Sequence, residues 1–281
     1  MEVILFIQTF KTPFLDCFFQ FITMAGEQPF FLLLACWFTW CYDKESGWRL
    51  GFIFLTGTAL NSVLKDIFRI PRPIGRDEIS SIRTHTAKGY SFPSGHTQSA
   101  ALCWFSIIKI YRKKYLFITG ISIVILVGIS RLYLGVHWPS DVIGGAFIGA
   151  AWVFIADYIW TRFNGAGNIR FTVIILLIMV TVCCIFPSDY MIRTSGAAAG
   201  FLSGIILEKR YLNFHLSGNI INSVIRFISG IAVAVLLLQG SKLLLPKGGI
   251  ATGLTFIILG LWITYGAPAF FKWIEKMIKT H

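Results

Sequence analysis

Nine apolar stretches, joined mostly by short polar turns, are what this 281-residue chain must accommodate when it folds. They run over about 28–42, 47–65, 94–111, 115–133, 139–160, 170–186, 190–207, 218–240 and 248–271. Several approach the ~20 residues a helix needs to cross a bilayer. Within a bilayer each backbone N–H and C=O must be paired inside its own segment, which leaves helices as the solution for stretches of this kind. The pattern predicts an all-α, polytopic transmembrane helical bundle of about nine spans. A soluble fold is excluded by composition, with 56% of residues hydrophobic and 14% charged.

Residues 1–26 read differently. Apolar and polar residues alternate around Pro13, with Glu2, Lys11 and Asp16 spaced through them, which is the pattern of an interfacial amphipathic segment. It lacks a charged n-region leading to a small-residue cleavage site, so insertion is expected to rely on the first true spans. A second change falls at Thr161–Gly167, after which four more helices carry no ionisable cluster comparable to those before it. Three parts follow: an interfacial segment over 1–26, a membrane core over 27–160 and a four-helix membrane extension over 161–281.

The formal net charge of +12 would suit a nucleic-acid partner. Here the cations sit in inter-span turns, where topology and lipid headgroups account for them and nucleic acid is not expected. One set of turns holds Lys44, Arg49, Arg112, Lys113, Lys114, Arg162, Arg170, Lys209 and Arg210, and the C-terminal end adds Lys272, Lys276 and Lys279. The opposite face, apart from the site described next, holds Lys11, Arg193, Lys242 and Lys247. The positive-inside rule places the first set in the cytoplasm and the site on the extracytoplasmic face of a cell membrane. The six cysteines lie in or beside apolar stretches without Cys-x-x-Cys or metal-ligand spacing, and read as small hydrophobes. Neither a metal nor an organic cofactor is expected.

Three clusters carry chemistry. Lys65 and Arg72-Pro73 close the second stretch, Pro93-Ser94-Gly95-His96 opens the third, and Ser130-Arg131 leads through His137 to Asp141 between the fourth and fifth. A lone cation at a span end is ordinarily a snorkelling anchor, but these clusters recur at the same ends of successive spans. Lys65, Arg72 and Arg131 form a positive cage suited to a phosphate, since arginine's fork holds two oxygens and lysine adds a point charge. Ser94 and Gly95 precede a helix N-terminus, whose free N–H groups and dipole favour an anion. Asp141 lies one turn beyond His137 and would orient its ring, making His137 the nucleophile. His96 has no carboxylate close in sequence and suits the general acid. Glu27 and Asn61 are weaker candidates for substrate contact or support of the site. Arg83 and its charged neighbours in the loop after Ile70 read mainly as solvated charges.

Together the clusters resemble the signature of the type-2 phosphatidic acid phosphatase family, whose site is shared with vanadium haloperoxidases and bacterial acid phosphatases. That pattern, Lys-x6-Arg-Pro, Pro-Ser-Gly-His and Ser-Arg-x5-His-x3-Asp, is matched at every position across roughly residues 25–160. The resemblance implies a metal-independent phosphatase in which Lys65, Arg72, Ser94, Gly95 and Arg131 bind phosphate. It further implies His96 as acid, His137 as nucleophile, Asp141 as its partner, and a lipid phosphate drawn from the bilayer as substrate: phosphatidic acid, phosphatidylglycerol phosphate or undecaprenyl diphosphate. A lipid phosphotransferase with the same site, and a lipid or phosphate carrier, are the alternatives.

Overall fold

The computed structural model describes residues 1–216 and 220–279, which form twelve α-helices and, among the described residues, no strand. They are α1 (Glu2–Gln8), α2 (Pro13–Thr23), α3 (Gln28–Trp37), α4 (Lys44–Phe68), α5 (Gly95–Tyr111) and α6 (Lys114–Tyr133). Then come α7 (Pro139–Arg162), α8 (Ile169–Ile185), α9 (Asp189–Leu207), α10 (Ile220–Leu244), α11 (Gly249–Leu261) and α12 (Ala267–Lys279). The all-α bundle expected from the sequence is the observed class.

The count of nine spans is not confirmed. Among the described residues six helical runs are long and apolar enough to cross a membrane: α4, α6, α7, Asp189–Leu212, α10 and Gly249–Met277. A seventh arises if Pro13–Gly26 and Gln28–Tyr42, bent by 52°, count as one broken span. Two expected spans fall short because α5 and α8 have 17 residues each. At 1.5 Å per residue such a helix rises only ~26 Å, against a hydrocarbon core of ~30 Å. In α5 the first turn is also polar, so its apolar run is shorter still. Hydropathy located the helices, but it could not supply the missing turn.

The chain forms two compact units, one of Met1–Leu32 with Leu60–Ile155, the other of Leu33–Ala59 with Ala156–His281. In the first, α2 starts with Thr12 as N-cap, its hydroxyl accepting from Leu15 N at 3.2 Å, and with Pro13 in the first helical position. Helices α1 and α2 pack on the end of α6. Ile7, Leu15 and Phe19 cover Tyr133, Leu134 and Val136, while Ile4 meets Leu132. Their other faces leave Phe6, Phe10, Phe14 and Phe21 exposed. Helix α7 lies close against α5 through Gly145 and Gly149: a Cβ at Gly145 would come within 2.7 Å of the Ser94 carbonyl. Small residues permit that backbone approach.

In the second unit α9 and α11 approach by the same device, Gly196 and Gly200 facing the backbone of Gly253 and Ile257. Three π-helical turns, Phe38–Tyr42, Glu208–Leu212 and Trp262–Gly266, widen the helices here. A π turn displaces its carbonyls from the α register. Trp40 Nε1 donates to the Ile263 carbonyl at 2.7 Å, and Thr264 Oγ1 to that of Phe201 at 3.0 Å. Ion pairs join Lys44 to Glu208 at 2.9 Å and Arg49 to Asp157.

Candidate active site

All three sequence clusters meet in the first unit. Pro139 opens α7, leaving His137 in the turn before it and Asp141 in the first helical turn. Asp141 Oδ2 lies 3.2 Å from His137 Nδ1 and accepts from the Trp138 amide at 2.7 Å and from the Ser91 hydroxyl. Ser91 Oγ is also 3.4 Å from His137 Nδ1. On the other side of the ring, Arg72 Nη1 lies 2.9 Å from Nε2. A guanidinium only donates, so Nε2 carries the lone pair and Nδ1 the hydrogen. That is the tautomer a nucleophilic histidine needs. His137 is 1% exposed. Burial, followed by the nearby cations Arg72, Arg131 and Lys65, pushes its imidazole well below the ordinary value.

The cationic residues are arranged around this ring. Arg131, 0% exposed in α6, donates from Nη1 to Thr23 Oγ1 at 2.9 Å, while its Nε and Nη2 are buried with no hydrogen-bond partner. Buried donors of a charged group left unpaired are costly, and an anion between them would remove that cost. Arg72 holds the loop as well as the ring, donating to the carbonyls of Gly89, Lys88, Tyr90 and Val136 at 2.8–3.2 Å. Lys65, in the last turn of α4, donates to the carbonyls of Tyr90 at 2.5 Å and Ser91 at 3.3 Å. These bonds pin the 70–91 segment over the site.

Ser94 caps α5, its hydroxyl accepting from Thr97 Oγ1 at 3.0 Å. Its own amide donates to the Asp141 carbonyl at 2.9 Å, which ties the second cluster directly to the third. Gly95 and His96 are the first residues of the helix, where backbone N–H groups lack intrahelical acceptors. Asn61 reaches the second cluster: its Nδ2 donates to Gln98 Oε1 at 2.7 Å and to the Pro93 carbonyl at 3.4 Å. Glu27, at the break between α2 and α3, accepts from Arg83 Nη2 at 2.6 Å and stands 3.8 Å from His96 Nε2.

Three residues in this arrangement were not among the sequence candidates. Ser91 and Thr23 hold Asp141 and Arg131, and Arg83, expected mainly as a solvated charge, pairs with Glu27. Ser91 had a signal, since it stands two residues before Pro93 in the second cluster. Thr23 had none, because only the fold brings α2 to Arg131.

A helical bundle with six runs, among the described residues, long and apolar enough to cross a membrane, presenting a buried, oriented histidine among cationic side chains, defines an integral membrane protein. The comparisons give that class its family. Residues 46–165 match the model of the PAP2 superfamily, and residues 192–279 that of the PAP2 superfamily phosphatase transmembrane extension. Phosphatidylglycerophosphatase B of Bacillus subtilis is 32% identical over 159 residues, 52% of this chain and 75% of that protein. The chain belongs to the PAP2 superfamily. It is also 27% identical to human sphingosine-1-phosphate phosphatase 2 over 202 residues, 69% of this chain and 50% of the relative. Undecaprenyl-diphosphatase of Sulfolobus acidocaldarius is 31% identical over 127 residues, 45% and 59% of the two chains. The match spans about half the length of the sphingosine-1-phosphate phosphatases.

Proposed function

We propose that this protein is an integral-membrane lipid phosphatase that hydrolyses the phosphate monoester or diphosphate of a lipid at the extracytoplasmic face, through a phosphohistidine. The observation that carries the reading is the His137 ring, its Nδ1 hydrogen directed at Asp141 and its Nε2 lone pair turned toward Arg72. Binding an anion needs cations; it does not need an oriented, neutral imidazole, and this separates the enzyme from a carrier.

The substrate phosphoryl group lies among Lys65, Arg72, Arg131 and the first amides of α5, which balance its charge as the transition state spreads it over three oxygens. His137 Nε2 attacks phosphorus as the bond to the lipid oxygen breaks. His96 gives that oxygen its proton, and the lipid leaves as an alcohol, or as a monophosphate when the substrate is a diphosphate. Water then attacks the phosphohistidine and passes a proton to His96. The P–N bond breaks, freeing phosphate and restoring both histidines. Asp141 stabilises the positive charge His137 carries in between. Names of the relatives support a lipid phosphate substrate, since they span a sphingoid phosphate, a glycerophospholipid phosphate and a polyprenyl diphosphate.

The test is phosphate release by detergent-purified protein with EDTA present, over phosphatidic acid, phosphatidylglycerol phosphate, sphingosine 1-phosphate and undecaprenyl diphosphate. Release that persists in EDTA and is lost in His137→Ala is expected. Absence of release from each lipid, or a His137→Ala variant as active as the parent, overturns the reading.

A further inference from the structure

His137 has its carboxylate four residues along the chain, while His96 has none nearby in sequence. The fold supplies one from elsewhere. Glu27 ends the turn between α2 and α3, and that turn is packed directly on the start of α5: a Cβ at Gly26 would lie 2.6 Å from the His96 carbonyl and 2.9 Å from Val127 Cγ1. The packing brings Glu27 Oε1 to 3.8 Å from His96 Nε2, a nitrogen buried with no hydrogen-bond partner. Arg83 Nη2 holds the same oxygen at 2.6 Å, and Arg83 sits in the left-handed region at φ 58°.

We propose that Glu27 is the positioning carboxylate of His96, so that the site contains two carboxylate–imidazole pairs, Asp141 with the nucleophile and Glu27 with the acid. The proposal rests on the phosphatase reading. The charged groups around His96 are Arg131 from α6, Arg72 from the 70–91 segment and Glu27, with Arg83 beyond Glu27. Burial most of all, and then the arginines, disfavour a protonated ring, and Glu27 opposes both, favouring the proton that His96 gives to the departing lipid oxygen. Arg83 sets how much of the carboxylate's charge His96 feels. In the first half-reaction the proton moves from His96 to the leaving oxygen as the P–O bond breaks; in the second, water returns a proton to His96 as the P–N bond breaks.

The experiment compares two leaving groups across pH in detergent, an alkyl lipid phosphate and 4-nitrophenyl phosphate, whose nitrophenolate departs without needing a proton. Glu27→Gln is expected to lower kcat for the lipid about 10-fold or more beyond its effect on the aryl ester, and to move the alkaline limb of kcat/KM to lower pH. Glu27→Asp is expected to restore part of both. Arg83→Gln, which frees Glu27 toward His96, is expected to move the same limb to higher pH. Equal losses on both substrates without a shift of the limb, or a Glu27→Gln variant indistinguishable from the parent, overturn the proposal. A parent protein that releases phosphate from neither substrate overturns the phosphatase reading itself, and this proposal with it.

Discussion

Three donors converge on one oxygen of Asp141: the Trp138 amide, the His137 ring and the Ser91 hydroxyl. Asp141 is itself fully buried, so its orientation depends on those partners and not on water. Hydrogen bonds to a charged group contribute ~1.5–3 kcal/mol, which corresponds to a loss of about 10- to 100-fold in rate if the bond matters most in the transition state. Ser91→Ala is therefore expected to lower kcat by that factor with KM little changed, as steady-state kinetics on the lipid will show; a change confined to KM would remove Ser91 from this role. His137 also makes a pH prediction. Its folded pKa lies well below the ordinary value, while in the unfolded chain it returns to ~6.5. Above that pH both states are neutral and the full stability is present. As pH falls through it, the unfolded chain takes a proton the native site refuses, and stability is lost by up to ~1.4 kcal/mol per pH unit. Thermal unfolding in detergent between pH 7.5 and 5 is expected to show a smaller drop in His137→Gln than in the parent. The motif residues were legible in sequence because their spacing is local, but the partners that hold them were not. Thr23 and Arg131 are 108 residues apart, and no periodicity links them.

At the scale of helices, the site depends on how closely α7 can approach α5. The bond from Ser94 N to the Asp141 carbonyl crosses that junction at 2.9 Å, and Gly145 sits one turn further along α7 beside the Ser94 carbonyl. Gly145→Leu would wedge the pair apart. Overpacking of this kind costs ~1–3 kcal/mol, and here it also separates the start of α5 from Asp141. Both the melting temperature and kcat are expected to fall. Gly240→Ala in α10, where an added Cβ meets nothing within 4 Å, is the control expected to keep both. Gly145 and Gly149, like Gly196 and Gly200, stand four residues apart in the sequence, a spacing that lets membrane helices approach closely, and the structure shows which helix each pair meets. What hydropathy could not show was how far each helix extends. The polar Gly-His-Thr-Gln-Ser start of α5 leaves a still shorter apolar run in a helix that has only 17 residues.

For the whole molecule, the geometry of the first unit bears on which way the site faces. The site gathers the end of α4, the start of α5, the end of α6 and the start of α7, through Lys65, Ser94, Arg131 and Asp141. The α5–α6 turn with Arg112, Lys113 and Lys114 therefore lies at the far ends of those two helices, whichever of them fully crosses the bilayer. Three adjacent cations in a short turn are the strongest positive-inside signal in the chain. The site's own cations argue the other way if counted, but Lys65, Arg72 and Arg131 are tied to carbonyls, to Thr23 and to His137, so their place is set by these contacts and not by topology. The expected arrangement has the α5–α6 turn in the cytoplasm and the 70–91 segment outside. Single cysteines at His85 and Lys113, in a background with the six native cysteines replaced, will test it with a membrane-impermeant maleimide. His85→Cys should label in intact cells, and Lys113→Cys only after permeabilisation. The reverse pattern would place the chemistry on the cytoplasmic leaflet, and the lipids reached from that side would become the substrates to try.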